Sequence, residues 1–362
     1  MIRAGLITAF YLFDIAESVD LSRLSSLLQV STEPARLSSK RAIPSYVRYQ
    51  TPPLQMEGES LGVRELDGFQ VRVKVFDYGV VSLSLSRRFA GQWDELIAAA
   101  LELSGENSLE ERAERLCRDV VSRMDGALEQ PRTHFLSEDY FVFSIHALDT
   151  PCSAEQLIAA FGGQIAQLLR AESEPLSGQE RDEVLRHRIS YLAQDVVVPT
   201  WSSALVYDSE AGAQAAIEIF EYANSQLLQF RYYDELLDGR LAQIYKELET
   251  HPAYNSWWPR RYTRAARRVH ALFIDVNDLT DRTENALKLV GDVYAARLLA
   301  LAHSRLAVTG WRESVKDKLK TLDEIYRFAV DQTGMERGEL LELAIVAILV
   351  FELILFFMGI MN

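Results

Sequence analysis

FQVRVKVFDYGVVSLSLSRRF, residues 69–89, decides how the first half of the chain is read. Val71, Val73 and Val75 alternate with Arg72 and Lys74, and the alternation resumes through Leu83 and Leu85 after Asp77-Tyr78-Gly79. A period of two broken by a glycine turn predicts a β-hairpin. Upstream, residues 31–68 carry Ser, Pro and charge without a sustained period and read as loops with at most one weak strand. Before them GLITAFYLFD (5–14) reads as a strand, with a short amphipathic helix starting near Asp20.

Downstream, Trp93, Leu96, Ile97, Ala100 and Leu101 fall on one face of a helix over about 92–104. A second helix is expected from Leu109 to about Leu128, then a strand over 139–148 and a helix over 153–172 capped by Ser153. VVVPTWSSALVYD (196–208) reads as a last strand whose Pro199 marks an edge or a bulge. The order β-α-β-β-α-β predicts an α+β body with a ferredoxin-like topology over residues 1–206.

Beyond Asp208 the apolar period becomes helical for about 40 residues, through Ala216, Ile219, Phe220, Ala223, Leu227, Phe230, Leu237, Leu241, Ile244 and Leu248. HPAYNSWWP (251–259) breaks it, and further helices follow from Arg260 towards Val308 and from Trp311. Residues 207–338 therefore read as a long antiparallel helical hairpin or coiled-coil stalk. Residues 339–362 read as a C-terminal transmembrane anchor, because Leu343–Met361 is apolar except for Glu352 and spans about 28 Å as a helix.

A formal charge of −14 argues against non-specific nucleic-acid binding by the chain as a whole. Cys117 and Cys152 lack the spacing of a zinc site or a disulfide framework. The first 20 residues reach Asp14 and Glu17 without a secretory signal. The expected location is the cytoplasmic face of the inner membrane, single-pass, with the N-terminal body in the cytoplasm.

Three groups of residues stand out. Arg260, Arg261, Arg264, Arg267 and Arg268 crowd one stretch of an acidic chain, and Arg264, Arg267 and Arg268 share a helix face with Arg260. Guanidinium forks suit phosphates of RNA or of anionic lipid headgroups; the competing reading pairs them with Glu235, Asp238, Glu247 and Glu249. Glu342 and Glu352 are expected to make oligomer contacts at the membrane, since a charged carboxylate near mid-bilayer costs on the order of 2.5–3.5 kcal/mol. Asn224, Arg231 and Asp234 are expected to form a polar network on the stalk. The histidines show no metal-ligand spacing, and no nucleophile-base pair is identifiable, so neither a metal nor a cofactor is expected.

FDYG with its flanking strands (Phe76–Gly79), ANSQLLQFRYYDELLD (Ala223–Asp238) and the run from Trp311 to Leu353 carry a resemblance. In the last of these, Lys318-Leu319, Arg337, Leu341-Glu342 and Phe351-Glu352 fall in the expected order. The chain resembles the "required for meiotic nuclear division" family, whose bacterial members are YagE-like. The resemblance implies a membrane-anchored homo-oligomer, with mitochondrial members associated with organelle translation and no catalytic residues to carry over. The expected function is a non-enzymatic scaffold or tether that joins RNA or the ribosome to membrane lipid. The alternative is an oligomeric channel or transporter component using Glu352.

Overall fold

A computed structural model describes residues 1–28, 33–34, 52–63, 65–105, 108–250, 274, 276–277, 293–325, 327 and 345–346. The alternating stretch forms an antiparallel hairpin of β6 (Phe69–Val75) and β7 (Val80–Gly91), paired from Gln70↔Ser86 to Val75↔Val81. The turn closes where Phe76 N–H donates to Val80 O at 2.8 Å and Gly79 N–H to Phe76 O at 3.2 Å. Gly79 lies at φ +82°, and a Cβ there would meet Ala16 O at 1.9 Å, so only glycine fits.

The first strand, β1 (Ile2–Asp14), lies at the middle of the sheet. It pairs antiparallel with β7 on one side and with β9 (Leu136–Leu148) on the other. Both edges of this apolar strand are thereby hydrogen-bonded, as burial of its backbone requires. Beyond β9 come β11 (Ser203–Tyr207), parallel to it, and β10 (Val196–Pro199) at the rim. Pro199 lacks an N–H and sits on this outermost strand, where that loss is tolerated. On the other side β6 is followed by β4 (Leu54–Glu57) and β3 (Glu33–Pro34), with β5 (Glu65–Leu66) also on β6. A separate short pair joins β2 (Ser18–Val19) to β8 (Leu128–Glu129).

Because side chains alternate across a strand, each buried strand supplies two faces. One carries Ile7, Ala9, Tyr11, Phe13, Leu83, Leu85, Phe141 and Phe143 into a single core with α2 (Trp93–Ser104), α3 (Ser108–Ser122) and α4 (Ala154–Arg170). Trp93, Leu96, Ala113, Leu157 and Ile165 are the helices' share of it. Ser153 caps α4 by accepting from Gln156 N at 3.2 Å. The short α1 (Leu21–Leu28) and α5 (Gly178–Arg186) complete this half. The opposite face presents Thr8, Phe10, Leu12, Val80, Ser82, Tyr140 and Val142, all buried. Helix α6 (Glu210–Thr250) covers it, and Tyr140 stacks on Phe220 with ring centroids 5.4 Å apart. α7 (Val293–Arg305) buries Leu298, Leu299, Ala302 and His303.

The fold is a mixed α/β arrangement with helices on both faces of a multi-strand sheet, which corrects the ferredoxin-like expectation. Counting elements in order could not show that β1 sits between β7 and β9 or that the β10–β11 hairpin extends the sheet past β9. The stalk expectation is corrected as well. Residues 221–230 of α6 are buried on every side, so this part of the helix is a layer of the domain. A helical period identifies the buried face of a helix and says nothing about whether a sheet or another helix covers it.

The transmembrane expectation is not supported either: among the described residues no helix is long and apolar enough to cross a membrane. Of the segment 339–362 only Ile345 and Val346 are described, 54% and 55% exposed, and the remainder lies outside the described residues. The tail-anchored reading and the inner-membrane location rested on the apolar run and on the family resemblance, and are withdrawn.

The chain divides into two compact units, Met1–Tyr232 with Asp281–Arg312 and Tyr233–Thr280 with Glu313–Asn362. The sheet, its helical layers and α7 belong to the first. In the second, Leu237, Val315, Leu319 and Leu322 are buried, and Lys318 Nζ lies 2.8 Å from Asp234 and 2.7 Å from Asp238.

Candidate functional site

Helix α6 also buries polar side chains that lie between the positions of its apolar period: Glu221, Asn224, Ser225, Gln226 and Gln229 are all nearly inaccessible. Glu221, Ser225 and Gln229 recur every four residues and so share one face of the helix. Each finds a partner on the sheet or its turns, and together they form a polar seam.

At the first position, Glu221 contacts Lys74 of β6 in a buried ion pair and accepts from Ser82 Oγ of β7 at 2.7 Å. One turn on, Ser225 Oγ lies 2.7 Å from the hydroxyl of Tyr78, in the FDYG turn. At the third, Gln229 Nε2 donates to Asp14 Oδ1 at 3.1 Å, and Arg132 Nε donates to Asp14 Oδ2 at 2.9 Å. The Arg132 guanidinium also lies 3.7 Å from the ring centroid of Tyr232. Burial pushes the Asp14 carboxyl up to about 6, against the opposing pull of Arg132 and Gln229.

On another face of α6, His303 of α7 donates from Nε2 to Gln226 Oε1 at 2.7 Å, and Gln226 Nε2 donates to Tyr222 Oη at 2.9 Å. Burial, reinforced by Arg312, pushes His303 down to about 4, so it is neutral at pH 7. Tyr140 Oη donates to Ser203 O at 2.8 Å, tying β9 to β11 beneath the helix.

The seam's charges are matched in pairs: Lys74 with Glu221, Arg132 with Asp14, and Arg231 with Glu138. Charges consumed in this way fix the helix on the sheet, since a buried pair broken on one side leaves an uncompensated ion. Among the described residues no group of three His, Cys, Asp or Glu side chains could hold a metal ion. Cys117 and Cys152 are both free thiols.

Asn224 is buried on α6 and donates from Nδ2 to Phe220 O at 2.8 Å, while its Oδ1 has no hydrogen-bond partner among the described residues. Arg231 contacts Glu138 of β9. Burial raises the Glu138 carboxyl, against the lowering pull of Arg231. Asp234 accepts from Ser314 Oγ at 2.6 Å and from Lys318. Burial opposes the Lys318 charge, but hydrogen bonds to Asp234 and Asp238 prevail and raise its pKa. The three residues thus have separate partners. Arg260, Arg261, Arg264, Arg267, Arg268, Glu342 and Glu352 lie outside the described residues.

Sequence reasoning missed Lys74, Ser82, Glu221, Asp14, Arg132 and Gln229. The alternation separated Arg72 and Lys74 from the valines but could not tell that their face is covered by a helix. A usable signal was present in the polar residues interrupting the apolar period at 221–229, opposite a lysine flanked by Val73 and Val75.

Comparison with known sequences assigns the fold to a family. The model described as "Uncharacterized protein MJ0711, N-terminal domain" matches residues 4–214, and the chain belongs to that family. A curated relative, "Uncharacterized protein MJ0711" of Methanocaldococcus jannaschii, is 26% identical over 194 residues, 53% of this chain. The match covers 58% of the length of that relative. No solved structure matches. The YagE-like resemblance is corrected by these findings. Of the three pieces that carried it, only Phe76–Gly79 falls within the matched residues. The other two, Ala223–Asp238 and Trp311–Leu353, lie beyond it.

Proposed function

We propose that this chain is a non-enzymatic scaffold that assembles with copies of itself and tethers a phosphate-rich partner, namely RNA. The observation that carries the scaffold reading is the pairing of the seam's buried charges, which makes the centre of the domain a latch for α6 and leaves its ions no free reacting partner. The partner reading rests on the sequence: five arginines stand between residues 260 and 268 of a chain with a formal charge of −14. Arg geometry accommodates phosphate bidentately.

The test is binding of the full chain to single-stranded RNA over a salt series, with Arg260, Arg261, Arg264, Arg267 and Arg268 changed to Gln. Counterion release at single strands gives a slope of about 0.7 per contacted phosphate. If all five arginines contact phosphate, the slope of log K against log salt falls by about 3.5 in the variant. Equal slopes in the two proteins overturn the RNA reading. A monomer at all concentrations in sedimentation analysis overturns the self-assembly.

A further inference from the structure

Away from the seam, on the sheet face that carries α2, α3 and α4, we propose that Tyr11, Asp139 and Glu110 form a binding site for the ammonium group of a small alkyl amine. The β1–β9 register sets Tyr11 directly opposite Asp139, so both side chains stand on the same face. Glu110 lies in the first turn of α3, which packs on β1. Tyr11 is only 2% exposed, its ring meets Phe141 edge-on at 6.4 Å, and its hydroxyl has no hydrogen-bond partner among the described residues. Asp139 and Glu110 are exposed. The site therefore has a buried oxygen at its floor and two carboxylates at its rim.

Among the described residues, the basic groups around the rim have ion-pair or hydrogen-bond partners of their own. On α3, Arg112 pairs with Asp67, Arg118 pairs with Glu114, and Arg115 Nε donates to Glu111 O at 3.2 Å. Arg231 pulls the Asp139 carboxyl down, but it makes its ion pair with Glu138, whose side chain alternates to the opposite face. Burial, then the neighbouring carboxylates, raises Glu110, and burial raises Asp139 and Tyr11. A cation settling between them would reverse that penalty. An alkylammonium suits the set, because its three N–H donors match three oxygen acceptors and its chain can lie against the aromatic rings. Two carboxylates and a phenol fall short of a protein metal-ligand set.

The test is a titration of the full chain, ring-labelled at tyrosine, with cadaverine, followed by NMR; the Tyr11 signal is assigned by its disappearance in Tyr11→Phe. Cadaverine is expected to shift the Tyr11 signal saturably in the wild type. Asp139→Asn and Glu110→Gln should each weaken binding about tenfold or more, as loss of a hydrogen bond to a charged group does. Both carboxylates are exposed, and the unchanged signals of the other tyrosines report that these variants stay folded. Absence of a Tyr11 shift, or equal affinity in Asp139→Asn, overturns the site. The same saturable Tyr11 shift with magnesium chloride overturns the amine as its ligand.

Discussion

Replacing Lys74 with Met isolates what the seam contributes. Lys74 and Glu221 are 5% and 3% exposed, and Ser82 Oγ supplies Glu221 with one further hydrogen bond at 2.7 Å. Met approximates the lysine stem without its charge, so the packing against α6 is largely kept. What remains is a buried carboxylate with a single neutral donor. Breaking one side of a buried pair destabilises by about 3–5 kcal/mol. Ser82 offsets about 1 kcal/mol of that, which puts the expected loss for Lys74→Met at about 2–4 kcal/mol. Removing both charges, in Lys74→Met with Glu221→Leu, leaves no stranded ion, and the double variant should lie within about 1 kcal/mol of the wild type. Urea unfolding followed by near-UV circular dichroism reads all four proteins of the cycle, and the coupling energy comes from midpoints and slopes. A single variant within about 0.5 kcal/mol of the wild type would refute the latch. So would a double variant that loses the sum of the two single losses.

Two other perturbations follow from the same geometry. Asp14 titrates near 6 when folded and near 3.8 when unfolded, so its contribution is fully present below about pH 4 and lost as pH rises through 6. That is a decline of about 3 kcal/mol between pH 4 and 7, and Asp14→Asn should flatten it in urea midpoints taken across the range. A wild-type and an Asn variant with parallel pH profiles would remove Asp14 as the cause. Gly79→Ala places a methyl group against Ala16 O at φ +82° and should cost at least about 2 kcal/mol, read as a fall in thermal midpoint. An unchanged midpoint would mean that the turn relaxes away from Ala16.

The parts of the fold legible in the sequence are those set by local alternation and capping. The hairpin of β6 and β7, the Ser153 cap, the strand at 5–14 and the Pro199 edge all follow from residues within a few positions of one another. Strand order was not legible, because β1 meets residues 80–91 and 136–148, and no local pattern encodes partners so far away. The seam was hidden for a related reason. Lys74 looks like an ordinary solvent-facing residue until Glu221, 147 positions later, is laid over it.

The central position of β1 bears on how the chain folds as it is synthesised. This strand leaves the ribosome before either neighbour, and its second neighbour ends at Leu148, 134 residues after Asp14 (148 − 14). At 5–20 residues per second, roughly 7–27 s pass before both of its edges can be closed. Throughout that interval an apolar segment with Phe10, Leu12 and Phe13 has unpaired N–H and C=O groups, the condition in which nascent strands pair with the wrong chain. Pulse-labelled nascent chains arrested just past Gly91 should therefore engage a chaperone that chains arrested beyond Tyr207 have released.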